Sequence, residues 1–231
     1  MCARFAQAGS SLATGPFAVL IEMWGFGGQA QRHNIAPTQK VPVVRAKENG
    51  DGYRADPLRW GLVPSWTREL RASRPLVNAR SETAAEKPSF RSAFKKRRCV
   101  VPASGFLEWK SAPTGKLPQY IFRADGELML FAGLWESWLG PDEVRLDSFT
   151  VLTCAPNEFM SQVHDRMPVV LESSAALRWL EPERPAAELQ GLLAPAAEGV
   201  LDGYQVSKRV NSVKNDDYGC LEPASTPGLF D

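Results

Sequence analysis

The sequence predicts an α+β fold, a single domain with a mainly antiparallel, barrel-like β-sheet core and peripheral helices. Strand-like apolar runs outnumber helical ones, and helices occur singly or as one late pair rather than in strict alternation with strands. No internal repeat or low-complexity linker divides the 231 residues. We therefore expect one domain over residues 1–222, followed by a flexible C-terminal tail over residues 223–231.

The first half of the chain predicts short strands separated by single helices. An apolar helical period that ends in glycines predicts a helix from about Pro16 to Trp24. Strands are predicted in "VPVVRA" and in "YRADPLRWGLVPSW", the second interrupted by two prolines. "SETAAEK" is rich in helix formers after a possible Ser81 cap, and "SFRSAFKKRR" predicts a short basic helix with Phe90 and Phe94 on one face.

The second half of the chain is dominated by strands. "CVVPASGFLEWK" indicates strand, turn and strand, and "PQYIFRADGELMLFAGLWESW" predicts a hairpin around Asp125-Gly126. Buried strands are predicted in "SFTVLTCAP" and "RMPVVL", on either side of a helix in "NEFMSQVHD". "SSAALRWLEP" and "PAAELQGLLAP" favour helices, and "YQVSKRV" favours a late strand, which completes the predicted order of elements.

Charge and cysteine content exclude few functions, but the cysteine pattern favours a reducing compartment such as the cytoplasm. The formal net charge of +1 leaves nucleic-acid binding open, because binding needs a local basic face rather than a basic total. The four cysteines are widely spaced without a CxxC pair, and the chain has two histidines, so we expect no metal and no cofactor. Without a signal-peptide pattern or an apolar run of membrane length, a cytoplasmic protein with reduced thiols is expected.

The opening "MCARF" places Cys2 directly behind the initiator methionine. Removal of Met1 would leave one residue that carries both a free α-amine and a thiol, a pair of groups that no internal cysteine offers. The alternative is an accidental cysteine near a frayed terminus. Position alone does not separate the two interpretations.

Glu108 is a candidate acid–base residue in "GFLEWK". On an alternating strand its side chain points away from Leu107 and Trp109 and shares a face with Phe106. An exposed glutamate is the ordinary interpretation. The functional one is a carboxyl group in an apolar wall, which can serve as a general acid near neutral pH.

Three further polar residues are candidates because of where they fall between elements. His164 in "QVHDRMP" lies at a helix–strand junction, and Asn78 and Arg80 in "LVNARSET" come just before a helix. Loop polar groups at such positions often hold a ligand. The alternatives are a hydrogen-bonded structural histidine and an ordinary turn that enters a helix.

Six strings in this order resemble the SRAP (SOS response-associated peptidase) family: "MCARF", "NIAPTQ", "WGLVPSW", "NARSET", "PSFRSAFKKRRCVVPASGFLEW" and "HDRMPVVL". The resemblance runs from Cys2 to about Asn215, nearly the whole chain. It implies that Met1 is removed and that Cys2, as the nucleophile, crosslinks to abasic sites in single-stranded DNA. Composition and periodicity do not point to this substrate; the resemblance does.

The resemblance also implies roles for the other site residues. Asn78 would orient the amine and the sugar, Glu108 would open the deoxyribose ring as acid and base, and His164 would be a second proton carrier. The positions that correspond to DNA contacts are Arg80 and Arg166 on phosphates, Arg4 as a weaker phosphate candidate, and Pro37 and Trp66 against the bases that flank the lesion.

The sequence departs from the family pattern at four positions. Ala3 replaces a usual glycine, which matters if that backbone requires a positive φ. Leu107 stands where an aromatic residue is common, and Thr67 follows Trp66 where some members carry a second tryptophan. His33 replaces a frequent tyrosine and is interpreted as structural.

The leading functional hypothesis is a thiazolidine DNA–protein crosslink through Cys2 that shields abasic sites during the DNA damage response. The amine would form a Schiff base with the open-chain aldehyde, and the thiol on the same residue would close a five-membered ring onto it. The alternatives are a self-processing peptidase or amidohydrolase that uses Cys2 as its nucleophile, and a non-covalent binder of single strands.

We expect a monomer in the bacterial cytoplasm that associates with the nucleoid through DNA and not with a membrane. Partners at the replication fork are left open.

Overall fold

The computed structural model describes residues 2–8, 31–48, 50, 52–70, 75–141 and 143–224. The helix predicted from about Pro16 to Trp24 lies outside these residues. Among the residues described, no helix is long and apolar enough to cross a membrane.

Strands make up most of the regular structure. They are β1 (Phe5–Gln7), β2 (Arg32–Ile35), β3 (Lys40–Ala46), β4 (Tyr53–Trp60), β5 (Asn78–Arg80), β6 (Arg98–Ala103), β7 (Gly105–Ala112), β8 (Gly115–Arg123), β9 (Met129–Leu139), β10 (Arg145–Cys154), β11 (Met167–Pro168), β12 (Val170–Leu171) and β13 (Leu201–Gln205). The helices are α1 (Ser81–Ala84), α2 (Arg91–Lys96), α3 (Glu158–Ser161), α4 (Ser173–Leu180) and α5 (Ala186–Gly191), with 3-10 turns at Lys208–Asn211 and Tyr218–Cys220.

The strands form two sheets, one of which closes into a ring. The smaller sheet has the order β13-β8-β7-β1-β2. In the larger sheet β10, β4, β3, β6 and β9 follow one another, and β9 pairs back onto β10. The ladders are antiparallel except where β10 runs parallel to β4 and β5. The predicted mainly antiparallel, barrel-like core is thereby confirmed.

The apolar core fills the ring. It also reaches one face of the smaller sheet, the face that carries Phe5 of β1 and Phe106 of β7. Phe5 packs edge-on against Trp60, with ring centroids 4.8 Å apart, and Phe106 packs against Phe131 at 6.1 Å. Leu107 instead belongs to a second apolar cluster on the other face of the small sheet. A two-residue period therefore sends neighbouring side chains of β7 into different layers.

The predicted hairpin around Asp125-Gly126 is wrong, although the turn itself exists. Gly126 adopts a positive φ of 76° and its N–H donates to the carbonyl of Arg123 at 3.0 Å. However, β8 pairs with β7 and β13, whereas β9 pairs with β6, β10 and β12. The residues from Met129 to Leu134 are all buried, so this run is stabilised between central strands rather than beside its neighbour in sequence.

Three predicted boundaries also shift. Ser81 is the first residue of α1 rather than its cap, since Arg80 holds the cap position without a side-chain hydrogen bond. The second early strand ends at Trp60, because Gly61 turns the chain with a φ of 111°. The late strand begins at Leu201 and ends at Gln205. Two residues further on, the hydroxyl of Ser207 accepts the Arg209 N–H at 3.2 Å and caps a 3-10 turn.

The remaining predicted elements are confirmed with small changes in length, except that the strand predicted in "RMPVVL" is two short strands, β11 beside β10 and β12 beside β9. Phe94 in α2 and Phe90, which holds the cap position before α2, are both buried, as the predicted common face requires. At the end of the chain, Pro223 bridges to Val206 and the Ala224 N–H donates to the Gln205 carbonyl at 2.8 Å. Residues 225–231 of the predicted tail lie outside the described part of the chain.

Buried Arg98 joins the carboxyl ends of two helices. Its guanidinium donates to the carbonyls of Phe94 at 2.9 Å and Lys95 at 2.7 Å, at the end of α2. It also donates to Trp179 at 2.6 Å and to Glu181, at the end of α4. Burial lowers the pKa of this guanidinium, but its hydrogen bonds satisfy carbonyls that the helices leave unpaired.

We expect Arg98→Met to lower the free energy of unfolding by about 3 kcal/mol, because buried carbonyls lose a charged donor. Urea denaturation measures the change. The matched control is Arg178→Met on the exposed face of α4, which should stay within about 0.5 kcal/mol of the parent. Equal stability of the two variants would contradict this role for Arg98.

Candidate active site

Cys2 lies in the interior, three residues before β1, the strand between β7 and β2. Its side chain is 1% exposed, and its thiol donates to the carbonyl of Arg4 at 3.7 Å. Burial raises the pKa of the Cys2 thiol well above its ordinary value, and the nearby Glu108 carboxylate raises it further. The thiol is therefore protonated at neutral pH in this state.

Asn78 holds the backbone of Cys2. Its side-chain Nδ2 donates to the Cys2 carbonyl at 2.7 Å. Its Oδ1 is buried and has no hydrogen-bond partner in the part of the chain that the structure describes. A buried amide oxygen without a donor is costly. This atom is thus available to a donor brought by an amine or by a ligand.

Glu108 completes this group from the neighbouring strand. It lies on β7, where its side chain is 6% exposed and shares the face of Phe106. The pairing of Phe5 with Phe106 brings β7 alongside the residues that precede β1. The charge of Glu108 reaches the Cys2 thiol, as its effect on the thiol pKa shows. Cys2, Asn78 and Glu108 are therefore brought together from three distant parts of the sequence.

His164 lies just after α3, on a loop that leads into β11. Its Nδ1 accepts the backbone N–H of Arg166 at 3.0 Å and lies 2.7 Å from a carboxylate oxygen of Asp165. The first contact suits the neutral ring with its proton on Nε2, and the second suits the protonated ring. Both contacts hold the imidazole ring through Nδ1.

Arg166 is held by an ion pair that the sequence did not indicate. Its guanidinium donates to both oxygens of Glu82, at 2.6 and 2.9 Å, and to the Thr153 carbonyl at 2.5 Å. The hydrogen bond from Arg166 lowers the pKa of Glu82. Because Thr153 pairs with Arg80 in the parallel ladder of β10 and β5, this contact places Arg166 at the Arg80 end of β5.

Arg80 and Asn78 share one face of β5, since they are two residues apart on a strand. At about 3.3 Å per residue, Arg80 lies roughly 7 Å farther along. Its side chain is exposed and makes no hydrogen bond within the described residues, although its charge helps to lower the pKa of Glu82. Its charge is therefore directed to solvent beside the group of Cys2, Asn78 and Glu108.

Arg4 points to the other side of the small sheet. Its guanidinium donates to Oδ1 of Asn34 at 2.7 Å and to the Val210 carbonyl at 3.0 Å, and lies 5.7 Å from the ring centre of Trp109. These contacts tie the residues before β1 to β2 and to the 3-10 turn near the C-terminus. Burial lowers the pKa of Arg4.

Pro37 lies in a turn with an unusual backbone. The Gln39 N–H donates to the Ala36 carbonyl at 3.3 Å, and Thr38 adopts a φ of 76°. This is the arrangement of a type II turn, in which proline suits the second position and glycine the third. A β-branched residue in the left-handed region is strained, and such strain concentrates at functional sites.

Trp66 projects from a loop that a second tryptophan anchors. Its side chain is 66% exposed. The indole N–H of Trp138, which is itself buried, donates to the Thr67 carbonyl at 2.6 Å, and the Thr67 N–H donates to Pro64 at 3.0 Å. An exposed indole on an anchored loop is suited to stacking on a flat ligand.

Ala3 does not need the conformational freedom of glycine. The described non-glycine residues with positive φ are Thr38, Glu143 and Glu183, so the backbone at Ala3 is ordinary. The three internal cysteines, Cys99, Cys154 and Cys220, are buried and unpaired. Across the described ranges, no group of three or more His, Cys, Asp or Glu side chains could hold a metal ion.

Sequence reasoning missed two residues that shape this region. Glu82 was interpreted as a helix former, and Trp138 as part of a hairpin. No local signal pairs Glu82 with Arg166, since 84 positions separate them. No local signal pairs Trp138 with the loop of Trp66 either, since the indole hydrogen bond to Thr67 joins positions that are far apart in the sequence.

Comparisons with known proteins identify the family of the chain. Residues 1–213 match the family model described as SOS response associated peptidase (SRAP). The chain is 40% identical over 192 residues to abasic site processing protein YoqW of Bacillus subtilis, covering 82% of this chain and 85% of that protein. It is 32% identical over 197 residues to abasic site processing protein YedK of Escherichia coli, covering 83% and 84%.

A solved structure extends the match to the fold. The X-ray structure of a protein from Bacteroides thetaiotaomicron superimposes with a TM-score of 0.80 at 25% identity. The match covers 95% of this chain and 99% of that protein.

Proposed function

Because the chain belongs to the SOS response associated peptidase family, we propose that it binds abasic sites in single-stranded DNA and joins them covalently to Cys2 after loss of Met1. The observation that carries the proposal is the buried group in which Asn78 holds the Cys2 carbonyl and Glu108 lies beside the Cys2 thiol. The names of the relatives YoqW and YedK support the choice of substrate.

The first step is the opening of the sugar. An abasic deoxyribose is mostly a cyclic hemiacetal, and its aldehyde appears when the ring oxygen receives a proton and the anomeric hydroxyl loses one. Glu108 is the group beside Cys2 that can carry out this transfer. Its burial keeps competing water away from the reacting atoms.

The second step is attack by the neutral α-amine of Cys2 on the aldehyde, followed by loss of water to give a Schiff base. An α-amine with an ordinary pKa of about 7.7–8.0 keeps a useful neutral fraction at cellular pH, whereas a lysine near 10.4 does not. The Asn78 Oδ1 atom, buried without a partner in the described chain, can accept a hydrogen bond from this amine. His164 is proposed as the second proton carrier.

The third step closes the ring. The S–H bond of Cys2 adds across the C=N bond, so that sulfur bonds to carbon and the proton goes to nitrogen. The product is a five-membered thiazolidine, and one water is lost overall. A protonated thiol suits this order, since the amine reacts first and the sulfur supplies its proton at the end. Closure removes the Schiff base that would otherwise promote strand cleavage by β-elimination.

DNA contacts would come from the surroundings of this group. Arg80 is exposed and Arg166 is oriented by Glu82, so both are assigned to phosphates. Pro37 and Trp66 are assigned to the flanking bases. Arg4 is already engaged by Asn34 and Val210, so its contribution to DNA binding is proposed to be indirect.

The decisive experiment is intact-mass analysis after mixing the protein with an abasic oligonucleotide. We expect a mass equal to that of the protein without Met1 plus the oligonucleotide minus one water. An oligonucleotide with an intact base should give no adduct. Unmodified protein in both mixtures would overturn the proposal.

The family description favours one alternative, a peptidase in which Cys2 is the nucleophile. This reading requires the protein to remove its own Met1. Synthesis in a system without methionine aminopeptidase separates the two. Loss of Met1 there favours self-processing, and retention assigns its removal to another enzyme.

We expect Trp138→Phe to weaken binding of a single-stranded oligonucleotide by about fivefold, because the Trp66 loop loses one hydrogen bond of about 1 kcal/mol. Trp66→Ala should cost more, about 1–3 kcal/mol of stacking. If Trp138 acts through Trp66, the double variant should bind no more weakly than Trp66→Ala. Additive losses, measured by fluorescence anisotropy, would show that Trp138 acts elsewhere.

A further inference from the structure

A groove of about 1020 Å³ lies between α2 and the segment from residue 182 to residue 189. It is distinct from the group around Cys2. Its floor is apolar, formed in part by Phe94 and Leu189, and its rim is basic. The charged residues that line it are Arg91, Lys95, Lys96, Glu183 and Arg184.

Three of these cationic side chains form no ion pair among the described residues. Arg91, Lys95 and Lys96 are exposed, and none of the ion pairs among the described residues includes them. Arg184 differs, since it pairs with Glu181 and Glu188 at 2.6 Å each. The excess positive charge of the groove therefore comes from α2, where Arg91 and Lys95 are four residues apart and occupy one side of the helix.

The groove continues from the Arg80 end of β5. Ala85, which lines the groove, follows directly on α1, and α1 begins right after Arg80. At 1.5 Å per helical residue, the distance from Arg80 to Ala85 along the helix axis is about 8 Å. The side chain of Gln190 donates to the Ser81 carbonyl at 3.1 Å and fixes the far wall to α1.

We propose that this groove binds phosphates of the single strand that flanks the lesion, so that the strand leaves the Cys2 group past Arg80 and runs along α2. The inference rests on the proposed function and extends its DNA interface. A basic groove that tracks the backbone, with apolar surface for sugars and bases, is the usual means of holding single strands without reading sequence. Charge complementarity and continuity with Arg80 favour a nucleic-acid strand over an acidic peptide.

The test uses Lys95→Gln/Lys96→Gln and oligonucleotides that carry a stable abasic analogue without an aldehyde. One oligonucleotide has two nucleotides on each side of the lesion, and two others carry a 15-nucleotide flank on one side only. We expect the variant to bind one of the long oligonucleotides about 25-fold more weakly at 0.1 M salt, with a salt slope smaller by about 1.4. Binding of the short oligonucleotide should change less than twofold.

The matched control is Lys47→Gln/Lys116→Gln, which removes two exposed charges outside the groove and should leave all three affinities within twofold. An equal loss on short and long oligonucleotides would overturn the groove assignment, because it would reflect overall charge. No loss on either long oligonucleotide would also overturn it, and would leave an acidic peptide as the remaining ligand class. Crosslinking of a short reactive oligonucleotide by the variant, read by intact mass, tests the proposed function separately.

Discussion

Cys2→Ser is expected to abolish the stable crosslink while leaving Schiff-base formation in place. The serine keeps the α-amine but offers a hydroxyl, whose ring product is labile. With an abasic oligonucleotide, the variant should give an adduct only after borohydride trapping. Without trapping, it should cleave the strand by β-elimination. Cys2→Ala should behave in the same way, because the amine survives. Denaturing gels and intact mass distinguish the products.

The control for this result replaces Cys99, Cys154 and Cys220 together by alanine or valine. All three are buried, and the hydrogen bonds that Cys2 makes with Arg4 and Asn78 do not involve them. A folded triple variant should crosslink normally. A heat- and denaturant-stable adduct with Cys2→Ser, or loss of the adduct in the folded triple variant, would mean that the nucleophile is misassigned.

Glu108→Gln is expected to slow crosslinking by roughly 10²–10⁴-fold, the usual contribution of general acid catalysis. The amide keeps the shape of the side chain but has no transferable proton, so the sugar ring opens slowly. A substrate locked as an open-chain aldehyde should restore most of the rate. Single-turnover kinetics with the cyclic and open-chain substrates measure the difference.

Glu136→Gln serves as the matched control, since Glu136 is also a buried glutamate on a strand but is paired with Arg97. It should change the crosslinking rate less than threefold. If Glu108→Gln is equally slow on the open-chain substrate, Glu108 is not the ring-opening acid. His164, with Nε2 directed away from its Nδ1 contacts, would then be the better candidate.

Local patterns predicted the elements but not which of them meet. The alternation in β7 placed Glu108 on the face of Phe106, because a two-residue period is a property of the strand itself. The hairpin prediction failed because alternation and an Asp-Gly turn are equally compatible with a strand that changes sheets. Secondary structure was therefore largely predictable, whereas strand partners were not.

In the candidate site, too, the residue types were predictable from the sequence, whereas the contacts between them were not. The proximity of Asn78 to Cys2 depends on the parallel pairing of β5 with β10 and on the insertion of β1 between β2 and β7, which no short window of sequence encodes. The resemblance to a family supplied a reason to group these residues. The pairing of Arg166 with Glu82 lay outside both kinds of reasoning, since it joins a side chain of α1 to a side chain of the loop before β11.

The central place of β1 has a consequence for the order of events during synthesis. The partner of Phe5 on one side is Phe106, about a hundred residues later in the chain. At about 5–20 residues per second, that strand leaves the ribosome some 5–20 s after the first residues. Until then nothing can bury Cys2 in its native contacts, and the terminus remains accessible to an aminopeptidase. For an aminopeptidase that acts on Met1, the period of access would therefore end when β7 pairs with β1.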